Sequence, residues 1–486
     1  MSEPCDLTAT EARRLIGLAR LSPKELLSSC LSRISEVNPA VNAIVAMDEV
    51  GAQREAEIAD EAVGLGEELG LLHGLPLGIK DLQTTGGLRT TFGSLLFQDN
   101  VPDQDEDSVA NLRGHGGLVL AKTNTPEFGA GANTRNRVYG ATGNPFDPDK
   151  TCAGSSGGSA VALATGMVPL ATGSDYGGSL RTPAAFCGVC GFRPSPGLVP
   201  AADRVVALNP FGVNGPMART VEDLHLLLRA QLDFDKRDPF SSDDAFAIPD
   251  ATTLPDLRSL RVAITPDLGC APVAKDIRDV FAERVATFQS VFGSAEEAAP
   301  DLSGVHDIFE VLRGISFVAA HGERLETARD RLGPNVIDNT ERGLKFTAAE
   351  VARAHAEQTA LYRRFFAFFE THDILICPAA AVSPFPHTDW SVTAIDGEEM
   401  PTYMRWLALT YALTTALACS VTIPCGVDRD GMPFGIQIAG PNGADAQVLA
   451  VALALEKVLA GDDTTRRPVP DLSRLANAPK LATETG

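Results

Sequence analysis

Residues 151–159 read TCAGSSGGS and residues 173–183 read GSDYGGSLRTP, and these two glycine- and serine-rich turns carry most of the information in the chain. Glycine turns let backbone N–H groups come close to an oxyanion that develops during catalysis. A serine in such a turn can also simply cap the helix that follows. The turns therefore indicate a nucleophilic site only if a base can be found elsewhere in the chain.

A lysine stands upstream in an apolar context, in the stretch GLPLGIKD at residues 74–81. Apolar surroundings disfavour the ammonium form, so a buried lysine can act as a base near neutral pH. Asp81 follows the lysine directly, and an ion pair between the two would raise the lysine pKa and oppose that role. Two serines and one lysine together are the parts of a nucleophile-and-base system without histidine.

These stretches resemble the signature blocks of the amidase signature family, which hydrolyses amides with a serine, a cis-serine and a lysine. The blocks are GLPLGIKD at 74–81, GSSGGS at 154–159 and DYGGSLRTP at 175–183, and they follow the family's order. The family's bridging serine and nucleophile are 24 positions apart, as are Ser155 and Ser179. Three blocks in order, with this spacing, make the resemblance specific.

The resemblance implies a role for each member of the set. Ser179 would be the nucleophile, and Ser155, which carries a cis peptide in the family, would bridge it to Lys80. Lys80 would be neutral in the resting enzyme and accept the proton that passes through Ser155. Ser155 would then return a proton to the departing amine. This mechanism requires no metal and no organic cofactor.

The resemblance also implies the surroundings of the reacting bond. Backbone N–H groups around Tyr176, Gly177, Gly178 and Ser179 would form the oxyanion hole, and Gly129 would contact the substrate. Aromatic and apolar residues are predicted to line a pocket that favours aryl or alkyl amides over charged ones. The predicted pocket walls, from the segment 310–325, the loop 379–406 and the signature region, are Phe128, Tyr176, Arg313, Phe317, Phe385, Trp390, Tyr403 and Trp406.

We therefore interpret the chain as an amidase that hydrolyses the C–N bond of a carboxamide, or of a related carbamate or aryl amide. Two alternatives stay open at this point. One is the glutaminase subunit of a tRNA-dependent amidotransferase, which shares this core and works beside a partner protein. The other is a catalytically inactive binding protein on the same scaffold, against which the intact set of Lys80, Ser155 and Ser179 argues.

Two further motifs compete with this interpretation. Gly154-Ser155-Ser156-Gly157-Gly158 also fits Gly-x-Ser-x-Gly, which would make Ser156 the nucleophile of an α/β-hydrolase. That assignment needs an apolar strand just before the turn, and the preceding residues 147–152 do not form one. Cys187 and Cys190 form Cys-x-x-Cys, but a zinc site would need a second ligand pair.

Short apolar runs alternate with helical patterns along the chain, which is typical of an α/β fold. The resemblance implies a single large domain over residues 1–486, with a central mixed β-sheet flanked by helices on both faces. Its signature core covers about 73–200, a second half begins near 260 after a polar stretch at 231–258, and a flexible tail follows residue 462. Strands are predicted at 42–47, 75–79, 118–121, 168–172, 260–265 and 373–378, and helices after Thr8 and Ser22 and at 48–62, 159–166, 275–290, 305–330 and 347–371.

Composition excludes several classes of protein. The formal net charge of −22 argues against binding of nucleic acid, since phosphates attract cations. No uninterrupted apolar stretch of membrane-spanning length occurs, so we expect no membrane association. Nine scattered cysteines and the absence of a recognisable signal peptide predict reduced thiols and a cytoplasmic location. The expected partner is a small-molecule amide or carbamate, and a homodimer stays open.

Overall fold

An 11-stranded mixed sheet runs through the computed structural model, which describes residues 3–243, 248–249 and 254–482. The strands are β1 Ile44–Met47, β2 Pro76–Lys80, β3 Leu118–Thr123, β4 Arg135–Asn136, β5 Gly140–Ala141, β6 Leu170–Asp175, β7 Cys190–Arg193, β8 Val213–Ala218, β9 Arg261–Ile264, β10 Ser294–Glu297, β11 Ile374–Pro378, β12 Ala394–Ile395, β13 Glu398–Glu399, β14 Cys419–Val427 and β15 Pro433–Gly440.

Helices pack on both faces of this sheet, and the chain forms one large α/β domain, as predicted. They are α1 Ala9–Gly17, α2 Pro23–Val41, α3 Glu49–Leu65, α4 Asp107–Gly114, α5 Gly157–Ala164, α6 Arg181–Cys187, α7 Val221–Gln231, α8 Lys275–Phe288, α9 Val305–Thr327, α10 Pro334–Gly343, α11 Ala348–Phe368, α12 Ala408–Thr415, α13 Asp445–Leu459 and α14 Leu472–Ala476.

The strand order in the large sheet is β1-β3-β2-β6-β8-β7-β14-β15-β11-β9-β10. β2 pairs in parallel with both β3 and β6, whereas β6 pairs antiparallel with β8. The carboxyl ends of β2, β3 and β6 therefore meet at one edge of the sheet. Two short hairpins, β4-β5 and β12-β13, lie outside it.

The N-terminal helices begin where the capping residues predict. At α2, Ser22 and Glu25 form a complete capping box, in which each side chain accepts from the other residue's backbone N–H. At α1, Thr8 accepts a hydrogen bond from the Glu11 N–H, but the Glu11 carboxylate binds Arg14 instead of returning to Thr8. Only half of a capping box is therefore present at α1.

The short apolar helix α5 fixes the position of the first signature turn. All eight of its residues are buried, as the sequence predicts for this segment. Gly158 lies so close to the neighbouring loop that a Cβ atom there would stand 2.3 Å from the backbone nitrogen of Asn124. The glycine therefore permits the helix to start against β3, and this holds residues 154–156 at the sheet edge.

The chain after residue 462, which the sequence predicts to be a flexible tail, runs over the surface and is attached to the core up to residue 482. Leu475 and Leu481 are buried, and the Leu481 N–H donates to the Pro39 carbonyl. Apolar residues spaced through the proline-rich segment supply these anchors. Part of the predicted polar stretch, residues 244–247 and 250–253, lies outside the described residues.

Candidate active site

Lys80 is the last residue of β2, and its side chain is fully buried. Its Nζ donates to Ser155 Oγ and to Ser156 Oγ, each at 2.8 Å. A third hydroxyl, that of Ser174 on β6, accepts from the same nitrogen at 2.9 Å. The lysine thus ends among hydroxyl groups, and no carboxylate of the described residues is in direct contact with it.

Burial lowers the pKa of Lys80 to about 7, and the negative charge of Asp175 only partly opposes this shift. The neighbouring Asp81 does not form the ion pair that the sequence left open. Its carboxylate accepts instead from the Thr91 hydroxyl at 2.6 Å and from the Thr91 N–H. A substantial fraction of Lys80 can therefore be neutral near pH 7, as a base requires.

Both serines of the first turn are buried, but they differ in their position relative to a neighbouring cavity. The Gly154–Ser155 peptide is cis, and the Ser155 side chain borders an open cavity. Ser156 is completely buried, and its hydroxyl is engaged by Lys80 and by the Ser174 carbonyl, to which it donates at 3.3 Å. An α/β-hydrolase nucleophile needs an exposed hydroxyl with a histidine beside it, and Ser156 does not meet the first condition.

Ser179 lies in the turn between β6 and α6 and borders the same cavity as Ser155. Its backbone carbonyl accepts from the Ser156 N–H at 3.3 Å, which ties the two turns together. Its hydroxyl makes no hydrogen bond to any described residue. The side chain is half-buried, so this hydroxyl is available to a molecule in the cavity.

A buried ion-pair network holds the second turn. Arg181 donates to both Asp175 oxygens, Nε at 3.0 Å and Nη2 at 3.1 Å, and Arg193 adds a third contact at 3.3 Å. These guanidinium groups keep the pKa of Asp175 far below its usual range despite burial. The same carboxylate also accepts from the Leu180 N–H at 3.1 Å. Asp175 and Arg181 therefore form a structural pair that holds the turn.

This network engages one of the predicted oxyanion-hole donors. The Gly178 N–H donates to Asp175 Oδ1 at 2.8 Å, so it is already used to hold the turn. In the described part of the chain, the N–H groups of Tyr176, Gly177 and Ser179 have no hydrogen-bond partner. Three backbone donors therefore stay available around the Ser179 hydroxyl, and Gly178 is not among them.

The cavity over these residues has a volume of about 230 Å³. Four predicted pocket residues, Phe128, Tyr176, Arg313 and Phe317, do border it, as does Gly129. A Cβ atom at Gly129 would stand 3.4 Å from Ser155 Oγ, so its backbone lies close to the serine. Apart from the serines and Asp175, the other residues that line the cavity were not predicted from the sequence. They are Leu82, Ala201, Arg204, Gly212, Val213 and Asn214.

The predicted loop 379–406 contributes less to the cavity than expected. Phe385 and Trp406 pack against each other with ring centroids 5.6 Å apart, and Trp406 is buried in the core. Trp390 instead lies under the guanidinium of Arg135, 4.4 Å from its ring centroid. Tyr403 acts only indirectly, because its hydroxyl accepts from Arg313 at 2.6 Å.

The motifs outside this site show no sign of separate chemistry. All nine cysteines are free, and burial raises the pKa of Cys187 and of Cys190 well above the usual value. No group of three or more potential metal ligands occurs among the residues that the structure describes. Within the same residues, no helix is both long and apolar enough to cross a membrane.

Comparison with known proteins agrees with this geometry. The family model described as Amidase matches residues 25–449. An acylamidase of Rhodococcus erythropolis is 34% identical over 456 residues, covering 93% of this chain and 95% of the relative. A glutamyl-tRNA(Gln) amidotransferase subunit of Acidothermus cellulolyticus is 33% identical over 485 residues, covering 94% and 95%.

The solved structures include a bacterial aryl acylamidase of the amidase signature family. It superposes with a TM-score of 0.85 at 27% identity, covering 93% of this chain and 96% of that one. Both the family model and the acylamidase relative extend over most of the chain, so the match is not confined to the signature turns. The chain belongs to the amidase family and is an amidohydrolase that acts on non-peptide C–N bonds.

Proposed function

We propose that the protein hydrolyses small carboxamides through an acyl-enzyme on Ser179, with Ser155 and Lys80 as a proton relay. The observation that carries this proposal is the contact between Lys80 Nζ and Ser155 Oγ at 2.8 Å, at the floor of a cavity that Ser179 also borders. It joins a base whose pKa is lowered to about 7 to a serine that borders the same cavity as the proposed nucleophile. Acylamides, aryl amides and carbamates are the candidate substrates.

In the first half-reaction, neutral Lys80 accepts the proton of the Ser155 hydroxyl while Ser155 accepts the proton of Ser179. The Ser179 oxygen attacks the carbonyl carbon, which becomes tetrahedral and negatively charged at its oxygen. Collapse breaks the C–N bond, and Ser155 delivers a proton to the leaving nitrogen, because an unprotonated amide anion is a very poor leaving group. Water then attacks the acyl-enzyme, and the same relay operates in reverse.

The tetrahedral oxygen would be stabilised by backbone donors of the second turn. Tyr176, Gly177 and Ser179 carry the N–H groups that are free for this task, whereas the Gly178 N–H is held by Asp175. We therefore leave the Gly178 N–H out of the proposed oxyanion hole and keep the other three donors. Losing one such donor typically costs about 2.7–4 kcal/mol of transition-state stabilisation. Asp175 would act by keeping the turn in shape.

A glutaminase role beside a partner protein is the second candidate. It is favoured by the amidotransferase relative, which is nearly as similar to this chain as the acylamidase. The two candidates share the proposed chemistry and differ in their dependence on a partner. Hydrolysis of anilides by the isolated chain favours the first, and glutaminase activity that appears only with a partner protein favours the second.

Replacement of Ser179 tests the proposed nucleophile. We expect Ser179→Ala to abolish both amide hydrolysis and covalent labelling by a fluorophosphonate probe, while circular dichroism shows a folded protein. Ser156→Ala is the matched control. The Ser156 hydroxyl is buried in the same site, so the probe should not react with it, and this variant should still be labelled. Mass spectrometry should place the label on the peptide that contains Ser179. A label on Ser156, or activity of Ser179→Ala within tenfold of wild type, would overturn the assignment.

A further inference from the structure

Arg313, on helix α9, is a buried cation in the wall of the catalytic cavity. No carboxylate in the described part of the chain neutralises its charge. Its side chain is only 6% exposed, and it forms no ion pair with any described residue. It donates from Nε to Asn339 Oδ1 at 3.1 Å and from Nη2 to the Tyr403 hydroxyl at 2.6 Å. Both partners are neutral. The Nη1 group has no hydrogen-bond partner in the described structure.

Aromatic rings surround this guanidinium and keep it in place. Its central carbon lies 4.5 Å from the ring centroid of Phe317, 5.7 Å from that of Tyr176 and 5.9 Å from that of Tyr403. Aromatic faces attract a cation, but they do not supply the hydrogen-bond acceptors that its N–H groups require. The rings and the two neutral acceptors therefore hold Arg313 in one orientation and leave part of its fork unused.

The acidic residues nearest along the chain and on the facing helix are committed elsewhere. Glu310, one turn earlier on α9, pairs with Arg342 at 3.3 Å. Asp338 on α10 also pairs with Arg342, at 2.9 Å. Neither forms an ion pair with Arg313. Since buried charged groups are generally paired, this lone guanidinium is an exception that calls for a partner from outside the chain.

The rest of the cavity wall points to the same sign of charge. Among the described residues that border it, Asp175 is the single carboxylate, and Arg181 and Arg193 already hold it. Arg204, the other arginine of the wall, is paired with Asp238. The cavity therefore presents one uncompensated positive charge, at Arg313, in a protein whose formal net charge is −22.

We propose that Arg313 binds a carboxylate group of the substrate, so that the enzyme prefers amides whose acyl or amine part ends in a carboxylate. The planar guanidinium matches a carboxylate with two parallel hydrogen bonds, and a charge-assisted pair of this kind is stronger than one between neutral groups. Phe128, Phe317 and Leu82 would contact the apolar part of the same substrate. This inference rests on the proposed function. It narrows the substrate class and replaces the sequence-based expectation of an uncharged amide.

The experiment compares two matched pairs of amides. In the first, glutaric acid mono-para-nitroanilide is paired with the analogue whose carboxylate is replaced by an isopropyl group. In the second, para-acetamidobenzoate is paired with its isopropyl analogue, which places the charge on the amine side. For each pair, kcat/KM is measured with wild type, and the dissociation constant is measured by calorimetry in the Ser179→Ala background, where no turnover is expected.

In at least one pair, we expect wild type to prefer the carboxylate by about tenfold or more, as a charge-assisted hydrogen bond would give. Arg313→Gln should remove most of this preference and leave the neutral partner nearly unaffected. Arg313→Lys should retain part of it, because it keeps the charge but loses the fork. Arg324→Gln, which removes a charge from the same helix outside the cavity wall, should preserve the preference.

An unchanged preference in both Arg313 variants, or no carboxylate preference in either pair, would overturn the proposal. Its failure can be told apart from failure of the proposed function. If Ser179→Ala hydrolysed amides normally while Arg313→Gln abolished carboxylate binding, the nucleophile would be wrong and the binding role of Arg313 would stand. If Ser179→Ala were inactive and every Arg313 variant bound both amides of a pair equally, the nucleophile assignment would stand and the binding role of Arg313 would be wrong.

Discussion

Two fully buried lysines stand on neighbouring parallel strands, Lys80 at the end of β2 and Lys122 on β3. Lys80 donates to three serine hydroxyls, and two of these serines, Ser155 and Ser174, border the catalytic cavity. Lys122 donates to the Gln83 carbonyl and to the Thr85 hydroxyl at 2.7 Å, and it does not border the cavity.

The charges around the two amines differ as well. Burial lowers the pKa of Lys80 to about 7. The negative charge of Asp175 opposes this shift, but Asp175 forms ion pairs with two arginines. Burial lowers the pKa of Lys122 to about 8, while the carboxylates of Asp81 and Glu106 oppose the shift. Burial alone therefore does not make a base: the neighbours decide whether a lysine can pass a proton on or serves to balance charge.

The largest effect on activity should follow removal of the Lys80 amine. We expect Lys80→Met to lower kcat on an amide by at least about 100- to 10,000-fold, the range for loss of a general base. Its free energy of unfolding should change far less than that of a Lys122 variant, because no carboxylate loses its counter-ion. Steady-state kinetics and urea denaturation measure the two effects. Normal turnover in Lys80→Met would remove the distinction between the two lysines.

The matched change at Lys122 should show the opposite pattern. Lys122→Met removes the nearby positive charge from the buried Asp81 and Glu106, and it leaves the Gln83 carbonyl and the Thr85 hydroxyl without their donor. Each buried polar group that loses its partner in this way costs about 1–3 kcal/mol of stability. The folded fraction should keep most of its activity, because Lys122 touches no residue that moves a proton in the proposed mechanism. A strongly impaired but fully stable Lys122→Met would mean that its role is chemical.

A smaller difference in activity is expected between variants of Ser155 and Ser156, the two serines of the first turn that accept hydrogen bonds from Lys80. Ser155→Ala removes the group that is proposed to pass the proton between Lys80 and Ser179, so amide hydrolysis should be largely lost. Ser156→Ala removes one buried hydrogen bond and should cost only about 0.5–1.5 kcal/mol of stability. Its activity should stay much closer to wild type. Kinetics of both variants on one amide decide this, and an equal loss in the two would show that Ser156 takes part in the relay.

Much of this arrangement was accessible from the sequence, because glycine turns and apolar runs leave local signals. The predicted strands at 75–79 and 118–121 and the buried helix at 159–166 correspond to β2, β3 and α5. Ser174 was missed, since a serine within a strand carries no distinguishing pattern, and only the fold brings it to Lys80. The engagement of the Gly178 N–H had a possible signal, because an aspartate often binds a backbone N–H a few residues later.

The partners that come from distant parts of the chain could not be predicted in the same way. Arg313 was expected in the pocket wall, but its lack of a counter-ion depends on helix α10 and on which arginine Glu310 pairs with. The prediction that aromatic residues of the loop 379–406 line the cavity was wrong for a similar reason. Trp406 packs into the core, and Trp390 stacks on Arg135. Such pairings are decided by packing between elements, which periodicity and composition do not record.

The pH dependence of amide hydrolysis by wild type and Lys80→Arg tests the role of Lys80 most directly. Only the neutral amine can accept a proton, so the wild-type rate should be high above pH 7 and fall by about tenfold per pH unit below it, as Lys80 becomes protonated. Arginine stays charged throughout, so Lys80→Arg should be severely impaired and should lack this limb. If Lys80→Arg kept wild-type turnover with the same fall below pH 7, lysine could not be the base and the proposed relay would be wrong.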